Sequence, residues 1–254
     1  MENEKIRILW TGGFDSTFRM VQLSRKDVII EPHYVSDNRK SEQFELNAMA
    51  QITKALMAKA ETCCTILPLV YVPVEKRISH PEVDAAFKRL LENRYIYMGS
   101  QYSWLGSYAK EHPGIEMSIH TDDKAIAVIH RFGSLIETSD PIVGMSYVVD
   151  PGNSTEDLLT VFENYRFPLA HYTKLQMMEE YNALGCADII PMTWFCFSPR
   201  NGKPCGVCNP CKYTIEEGLK SRFSSAALRR YRYRKILERT KIVPVLRSIK
   251  SWLR

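Results

Sequence analysis

Short apolar runs alternate with segments of helical periodicity along the first part of the chain. Ile6–Trp10 is an apolar run that leads into Gly12-Gly13, and Val28–Val35 is a second apolar run, as is typical of buried strands. Between them, Ser16–Leu23 carries apolar residues at helical spacing. This strand–turn–helix–strand unit of about 30 residues favours a parallel sheet.

The same periodicities predict further elements downstream. The predicted helices are Ser41–Ala60, Pro81–Glu92, Ser100–Glu111 and Thr173–Leu184. The predicted strands are Thr65–Val72, broken by Pro68, then Ile115–Ile119 and Pro141–Val148. Gly185 suits the left-handed position after the last helix. Strands that alternate with helices predict an α/β protein with a central parallel sheet.

The composition is that of a folded protein. Of the 254 residues, 45% are hydrophobic, which allows a sizeable core and excludes a disordered or fibrous chain. No apolar run approaches the roughly 18–20 residues of a membrane-spanning helix. The first residues also lack the basic and apolar regions of a signal peptide. We therefore expect a soluble, cytoplasmic protein without a membrane span.

Positive charge is concentrated at the end of the chain. Leu219–Arg254 has 12 lysines and arginines against one acid, Glu238, so the other residues carry a net charge of −6 although the whole chain carries +5. Any contact with a polyanion is therefore expected at this tail. Arg229–Lys235 interleaves arginine with tyrosine, which suits nucleic acid. Apolar residues from Ile236 to Trp252 favour instead a helix docked on protein or on an anionic membrane, and a disordered charged end is a further alternative.

The glycine pair lies where the first predicted strand passes into the first predicted helix. Glycines there let backbone N–H groups approach an anion at the positive end of the helix, and nearby hydroxyls add donors. The spacing matches neither Gly-x4-Gly-Lys-Ser/Thr nor Gly-x-Gly-x-x-Gly. An ordinary Gly-Gly turn with Ser16 as a helix cap is the alternative. The candidate anion-binding residues are Thr11, Gly12, Gly13, Phe14, Asp15, Ser16 and Thr17.

Four of the seven cysteines are clustered as Cys196-x8-Cys205-x2-Cys208-x2-Cys211. In an intracellular chain, this clustering indicates metal binding rather than disulfides. Four thiolates are the ligand number of a closed tetrahedral site, so we predict a structural Zn²⁺. An iron–sulfur cluster and thiols without metal are the alternatives. The other cysteines and the six scattered histidines are assigned no role in a site.

The glycine loop resembles the pyrophosphate loop, Ser-Gly-Gly-x-Asp-Ser, of the N-type ATP pyrophosphatases, with Thr11 in place of the first serine. Together with the cysteine spacing, it resembles the 7-cyano-7-deazaguanine synthase family over about Ile6–Leu219. The resemblance implies the PP-loop fold, a Rossmann-like adenine nucleotide alpha hydrolase fold with a central parallel sheet and a small zinc module of four cysteines.

ATP and Mg²⁺ are the cofactors that this resemblance implies. The loop would hold the β- and γ-phosphates, with Asp15 near the magnesium ion and Ser16 beside the phosphates. Val35 and Ser36, at the end of the second strand, would border the adenine. Lys174 follows Thr173 as a lysine follows aspartate in the family, and would face the nucleotide or the substrate; a solvated lysine in the first turn of a helix is the alternative.

Family enzymes adenylate the carboxylate of 7-carboxy-7-deazaguanine, form an amide with ammonia and dehydrate it to the nitrile. The resemblance therefore predicts an ATP-dependent ligase that acts on a small carboxylate and ammonia. Two segments depart from the family pattern. Gly99-Ser100-Gln101 replaces Gly-Arg-Asn, and Gly144–Asp150 replaces an acidic, cysteine-containing substrate loop, so another carboxylate remains open.

Three other functions fit the sequence. The same chemistry could act on a protein or nucleic acid recruited by the basic tail. The protein could instead catalyse tRNA thiolation, with Cys63, Cys64 or Cys186 in the sulfur transfer. The third alternative is a noncatalytic module that binds nucleotide and zinc. We predict a PP-loop domain over residues 1–190, a zinc module over 191–218 and a basic extension over 219–254. The resemblance permits a homodimer.

Overall fold

The structure, a computed structural model, describes residues 4–92 and 98–239. Its strands are β1 (Lys5–Leu9), β2 (Ile29–Val35), β3 (Thr65–Ile66), β4 (Val70–Val72), β5 (Ile115–Glu116), β6 (Leu135–Asp140), β7 (Gly144–Val149) and β8 (Tyr165–Arg166). Its α-helices are α1 (Phe14–Ser24), α2 (Glu42–Met57), α3 (Pro81–Glu92), α4 (Gln101–Glu111), α5 (Lys124–Phe132), α6 (Glu156–Phe162), α7 (Lys174–Ala183), α8 (Asn209–Glu216) and α9 (Ser225–Arg239).

The chain divides into two compact units. The first lies within Met1–Asn38 and Glu45–Thr193, and the second within Arg39–Phe44 and Trp194–Arg254. The first unit contains the sheets, and the second contains the cysteine cluster with α8 and α9. No helix among the described residues is both long and apolar enough to cross a bilayer.

The central sheet of the first unit is parallel, in the order β3-β2-β1-β5-β8. β4 also pairs with β2, further along than β3, so the predicted break at Pro68 is confirmed. Ile8 of β1 is paired with Pro32 on one side and with Glu116 on the other. Ile8 and Phe18 are fully buried, as expected for a central strand and the helix that covers it. The predicted α/β class with a central parallel sheet is confirmed.

The predicted strand at Pro141–Val148 differs from the structure. It begins at Gly144 and pairs antiparallel with β6 in a separate two-stranded sheet. The reason is a turn in which the Asp140 carboxylate accepts hydrogen bonds from the amides of Ile142 and Val143, each at 2.8 Å. The strand predicted at Ile115–Ile119 is also shorter than expected, since β5 ends at Glu116.

The predicted helices agree better with the structure. α1, α2, α3, α4 and α7 overlap the predicted segments, with ends that differ by up to three residues. Thr173 is the N-cap of α7 and forms a capping box with Gln176. Gly185, just beyond this helix, has φ +64°, which confirms the left-handed position.

A polar, titratable cluster is buried against one face of the sheet. The ring of His33, 2% exposed, lies between the Tyr108 hydroxyl, 2.5 Å from Nδ1, and the Glu31 carboxylate, 3.1 Å from Nε2. Because a carboxylate can only accept, Nε2 carries the proton of the neutral ring and Nδ1 accepts from Tyr108. Burial lowers the pKa of His33 and of the neighbouring His112. A hydrogen bond from Lys5 lowers the pKa of Glu31 to about 2.

These pKa values predict a loss of stability in acid. Below about pH 6.5 the unfolded chain takes up protons that His33 and His112 do not bind in the folded protein. The free energy of unfolding therefore decreases as the pH decreases. The contribution of Glu31 is complete above about pH 4.5 and is lost as the pH falls toward about 2. Denaturant titrations between pH 8 and 5 measure the first effect. His33→Gln should flatten the slope, and replacing the exposed His130 by glutamine should not; equal slopes in all three proteins would refute the assignment.

Candidate functional site

The order of the sheet places a topological switch point at the carboxyl end of β1. The chain leaves β1 toward β2 on one side, while β5 flanks β1 on the other, so the connections diverge at this edge. Ligands of open parallel sheets bind at such a switch point. The glycine loop follows β1 there, and Ser118 and His120 follow β5. The buried Oγ of Ser118 has no hydrogen-bond partner among the described residues, which leaves a hydroxyl available at this edge.

The glycine loop has the backbone of an anion-binding turn. Gly12 has φ +65°, and a Cβ there would lie 3.0 Å from the carbonyl oxygen of Glu45 and 3.1 Å from the Met49 side chain. Only glycine therefore fits without strain. Gly13 is the N-cap of α1, and no side chain caps this helix. Ser16 is therefore not the N-cap, and the alternative of an ordinary turn capped by Ser16 is not what the structure contains. The N-terminal end of α1 is open to an anion.

The hydroxyls of the loop have different surroundings. The Ser16 Oγ lies 3.5 Å from the Thr11 amide, so the two residues close the loop on itself. Thr17 is fully buried, and its Oγ1 accepts a hydrogen bond of 3.1 Å from Nε1 of Trp10. The Thr17 side chain therefore holds the loop to the end of β1 and does not face solvent.

Asp15 and His120 come together at this switch point. Nε2 of His120 lies 3.9 Å from Oδ1 of Asp15. The Nδ1 atom of His120 accepts a hydrogen bond from the Asp122 amide, so the neutral ring carries its proton on the nitrogen that faces Asp15. His120 is 7% exposed, and at this separation it makes an electrostatic contact with the carboxylate rather than a hydrogen bond. Sequence reasoning missed this residue because it is 105 positions from Asp15 and has no motif of its own.

The predicted adenine border lies at the end of β2. Val35 is the last residue of β2, and the amide of the buried Ser36 donates to the Val72 carbonyl at 2.9 Å. The Ser36 carbonyl accepts from Arg77, whose guanidinium lies 4.2 Å from the centre of the Trp104 ring. Val35 is 7% exposed and belongs to the buried core, so the assignment of Val35 and Ser36 to the adenine stays a prediction.

Lys174 is the first residue of α7 and is half-buried. The same helix is fixed to α1 by Tyr181, whose hydroxyl donates to the Phe14 carbonyl at 3.1 Å and whose ring lies 5.3 Å from that of Phe14. α7 thus packs on the helix that carries the loop. The assignment of Lys174 to the nucleotide stays a prediction.

A cavity of about 550 Å³ lies beside α1 in the first unit. The second half of α1 lines it, and Arg25 and Lys26 lie there with one acid, Glu180. Arg19 also lines the cavity, but its guanidinium is paired with the buried carboxylate of Glu116. The opposite wall includes the rings of Tyr147 and His171, whose centres are 4.3 Å apart. The volume is within the range of sites for small molecules. The excess of Arg25 and Lys26 over Glu180 suits an anionic molecule.

The second unit brings the four cysteines into one cluster. The sulfurs of Cys196, Cys205, Cys208 and Cys211 all lie within 4.8 Å of one another. Zinc–sulfur bonds of about 2.3 Å place the sulfurs of a tetrahedral site about 3.8 Å apart. The pairs Cys205–Cys211 and Cys196–Cys208 are separated by 3.8 and 4.0 Å. The cluster therefore could hold one tetrahedral metal ion such as zinc, whereas an iron–sulfur cluster places several irons between its ligands and needs them farther apart.

Backbone amides also donate hydrogen bonds to sulfurs of this cluster, which favours the thiolate form. The Cys205 amide donates to Sγ of Cys196 at 3.2 Å, and the amides of Val207 and Cys208 donate to Sγ of Cys205, each at 3.3 Å. Hydrogen bonds from the Cys196 and Cys211 thiols lower the pKa of Cys208. Sharing a hydrogen bond with Cys208 raises the pKa of Cys196 to about 12. Four adjacent thiolates repel one another, so ionisation of the whole set requires a bound cation.

The remaining cysteines do not have the surroundings of reactive thiols. Burial raises the pKa of Cys64 to about 11 and also raises the pKa of Cys186. Sulfur transfer needs a thiolate near neutral pH, which burial opposes at both positions. Cys63 is exposed. These surroundings weigh against the thiolation alternative.

The basic segment Arg229–Lys235 lies on α9. Part of the segment contacts the protein: the Arg230 guanidinium donates to the Cys205 carbonyl at 2.8 Å, and Arg234 donates to the Val207 carbonyl. Arg229, Arg232 and Tyr233 are exposed. The tail is thus helical up to Arg239, and the apolar residues predicted to continue it, Val243, Val245, Leu246, Ile249 and Trp252, lie outside the described residues.

No protein-family model matches the chain, and no curated protein matches it at a significant level.

Proposed function

We propose that this protein is an ATP-dependent ligase that adenylates a carboxylate and releases pyrophosphate. The observation that carries the proposal is the open N-terminal end of α1, with the sequence Thr-Gly-Gly-Phe-Asp-Ser, at the switch point of a parallel sheet. The carboxylate oxygen attacks the α-phosphorus of ATP, and pyrophosphate leaves. Ammonia then attacks the acyl carbon and displaces AMP, giving the amide.

The loop supports this reaction through the partial positive charge of its backbone N–H groups. Negative charge grows on pyrophosphate as it leaves, and N–H groups that already point at that place stabilise it without reorganisation. The amides of the first turn of α1 and the Ser16 hydroxyl supply such donors. Gly12 keeps the backbone close to the phosphates, because any side chain there would meet Glu45 and Met49.

Asp15 is the residue that would hold Mg²⁺. Its carboxylate is a hard oxygen ligand at the end of the loop, and Nε2 of His120 lies 3.9 Å from its Oδ1. When bound, the ion neutralises charge on the phosphates. A single carboxylate is sufficient, because phosphate oxygens and water complete the coordination of magnesium in nucleotide sites.

The cavity beside α1 supports a small molecule as the substrate. Its volume and its two cations beside one acid, Arg25 and Lys26 with Glu180, suit a compound that bears a carboxylate. We take 7-carboxy-7-deazaguanine as the first candidate, because the loop and the cysteine spacing resemble its synthase family. The segments that depart from that family, Gly99-Ser100-Gln101 and Gly144–Asp150, make other small carboxylates the next candidates; Gly144 lines the cavity itself.

Replacing Asp15 by asparagine should reduce formation of AMP and pyrophosphate roughly 100-fold or more, because a neutral amide holds the ion and the leaving charge more weakly. Coupled pyrophosphate detection with ATP, Mg²⁺, ammonium and the carboxylate measures the rate. Asp27→Asn is the matched control: Asp27 is exposed beyond the other end of α1, and its variant should turn over like the wild type. Equal rates for the Asp15 variant and the wild type would refute the role of the loop.

A further inference from the structure

Helix α9 is built against the cysteine cluster. Ala227, on its inner face, is fully buried in the same apolar cluster as Cys196, Cys205 and Cys211. Gly206 lies between two of the cysteines with φ +76°, and a Cβ there would be only 2.2 Å from the Ala227 carbonyl oxygen. The backbone of α9 therefore approaches the loop between the ligands as closely as glycine allows.

Two arginines of this face bind the same loop. Nε of Arg230 donates to the Cys205 carbonyl at 2.8 Å, and Arg234 donates to the Val207 carbonyl. These two carbonyls flank Gly206, at the turn whose amides donate to the Cys205 sulfur. Glu238 accepts from Nε of Arg234 at 2.8 Å and holds that guanidinium in place.

The other arginines of the segment face away from the cluster. Arg229 and Arg232 are exposed, and neither has a hydrogen bond or ion pair with another described residue. Positions 230 and 234 are one turn apart and share the inner face, whereas 229 and 232 share the outer one. One short segment thus carries two arginines in contact with the loop and two without such contact.

The negative charge of a metal–thiolate centre bears on the two arginines of the inner face, Arg230 and Arg234. Four thiolates and one divalent cation leave a net charge of about −2, which is costly in a buried site unless nearby groups offset it. The Arg230 guanidinium supplies part of that charge, whereas the charge of Arg234 is paired with Glu238. We propose that Arg230 and Arg234 position the ligand loop, and that Arg230 also offsets part of the charge of the metal centre, so that α9 is part of the metal site. This inference does not depend on the ATP reaction.

The test is the zinc affinity of the full chain, measured by competition with a chromophoric chelator. Arg230→Met and Arg234→Met keep the side-chain length and remove the charge and the contact; each should weaken zinc binding about 10–100-fold, the usual effect of removing a group that supports a metal ligand. Arg229→Met and Arg232→Met, matched in charge and helix, should stay within about 2-fold of the wild type.

Cobalt spectra and a conservative variant separate positioning from simple loss of folding. The Co²⁺-loaded Arg230→Met protein should show shifted tetrahedral absorption bands while its far-ultraviolet circular dichroism stays that of the wild type. Arg230→Lys keeps the charge and should recover part of the affinity; if Arg230→Met fails to fold, Arg230→Lys still has to bind zinc more weakly than wild type. Wild-type affinity in both inner-face methionine variants, or an equal loss in the outer-face variants, would overturn the inference.

Discussion

Removing the metal should unfold the second unit, and this is the largest effect that we expect. Its apolar cluster is small and contains three of the cysteines themselves, Cys196, Cys205 and Cys211, so little other core remains without the metal. Structural zinc contributes about 10–16 kcal/mol to the folding of small zinc modules. A strong chelator, or Cys211→Ser, should therefore expose the amides of α8 and α9 to hydrogen exchange within seconds.

The matched control for this prediction is Cys63→Ser. Cys63 is an exposed cysteine of the first unit, and its replacement should leave the exchange of α8 and α9 unchanged. Re-addition of zinc after chelation should restore protection in the wild type. Amides of α8 and α9 that stay protected after complete metal removal would show that the unit folds without metal.

Breaking the buried ion pair between α1 and β5 is the second large effect. Nε and Nη2 of Arg19 donate to the two carboxylate oxygens of Glu116, each at 2.7 Å, and the side chains are 5% and 2% exposed. Arg19→Met would leave Glu116 charged and uncompensated in the core. Such a loss typically lowers the free energy of unfolding by about 3–5 kcal/mol. Urea denaturation of wild type and variant measures it.

Two comparisons make this prediction specific. The double variant Arg19→Met/Glu116→Leu should recover much of the loss, since a buried ion pair replaced by apolar groups of similar volume is often neutral. Arg89→Met breaks the exposed pair with Asp157 and should change stability little. A double variant no more stable than Arg19→Met would contradict the role given to the uncompensated charge.

The regular part of the first unit could be predicted from the sequence because local pattern and packing agree there. β1, the Gly12-Gly13 turn and α1 follow one another within 20 residues, and the apolar spacing of each matches its final surroundings. The hairpin of β6 and β7 was predicted only in part. The strand predicted at Pro141–Val148 overlaps β7, but β6, half of whose residues are exposed, was missed, and the turn between them depends on one carboxylate, Asp140.

The candidate sites likewise contain residues that the sequence predicted and residues that it did not. Spacing alone identified the four cysteines, because their ligand distances are set within 16 residues of chain. The pairing of Asp15 with His120 depends on β1 and β5 being neighbours in the sheet, which no local pattern contains. The basic tail was the hardest segment to interpret. Its arginines are alike in sequence, and only the register of α9 separates Arg230, which contacts the cysteine loop, from Arg229, which does not.

The central claim, that a carboxylate attacks the α-phosphorus of ATP, is tested most directly by the fate of a labelled oxygen. The zinc-loaded protein is incubated with ATP, Mg²⁺, ammonium and small carboxylates labelled with oxygen-18, beginning with 7-carboxy-7-deazaguanine, and the products are analysed by phosphorus NMR and mass spectrometry. The account predicts AMP and pyrophosphate, with one labelled oxygen in the phosphate of AMP. ADP and phosphate, AMP without label, or intact ATP with every carboxylate would contradict it.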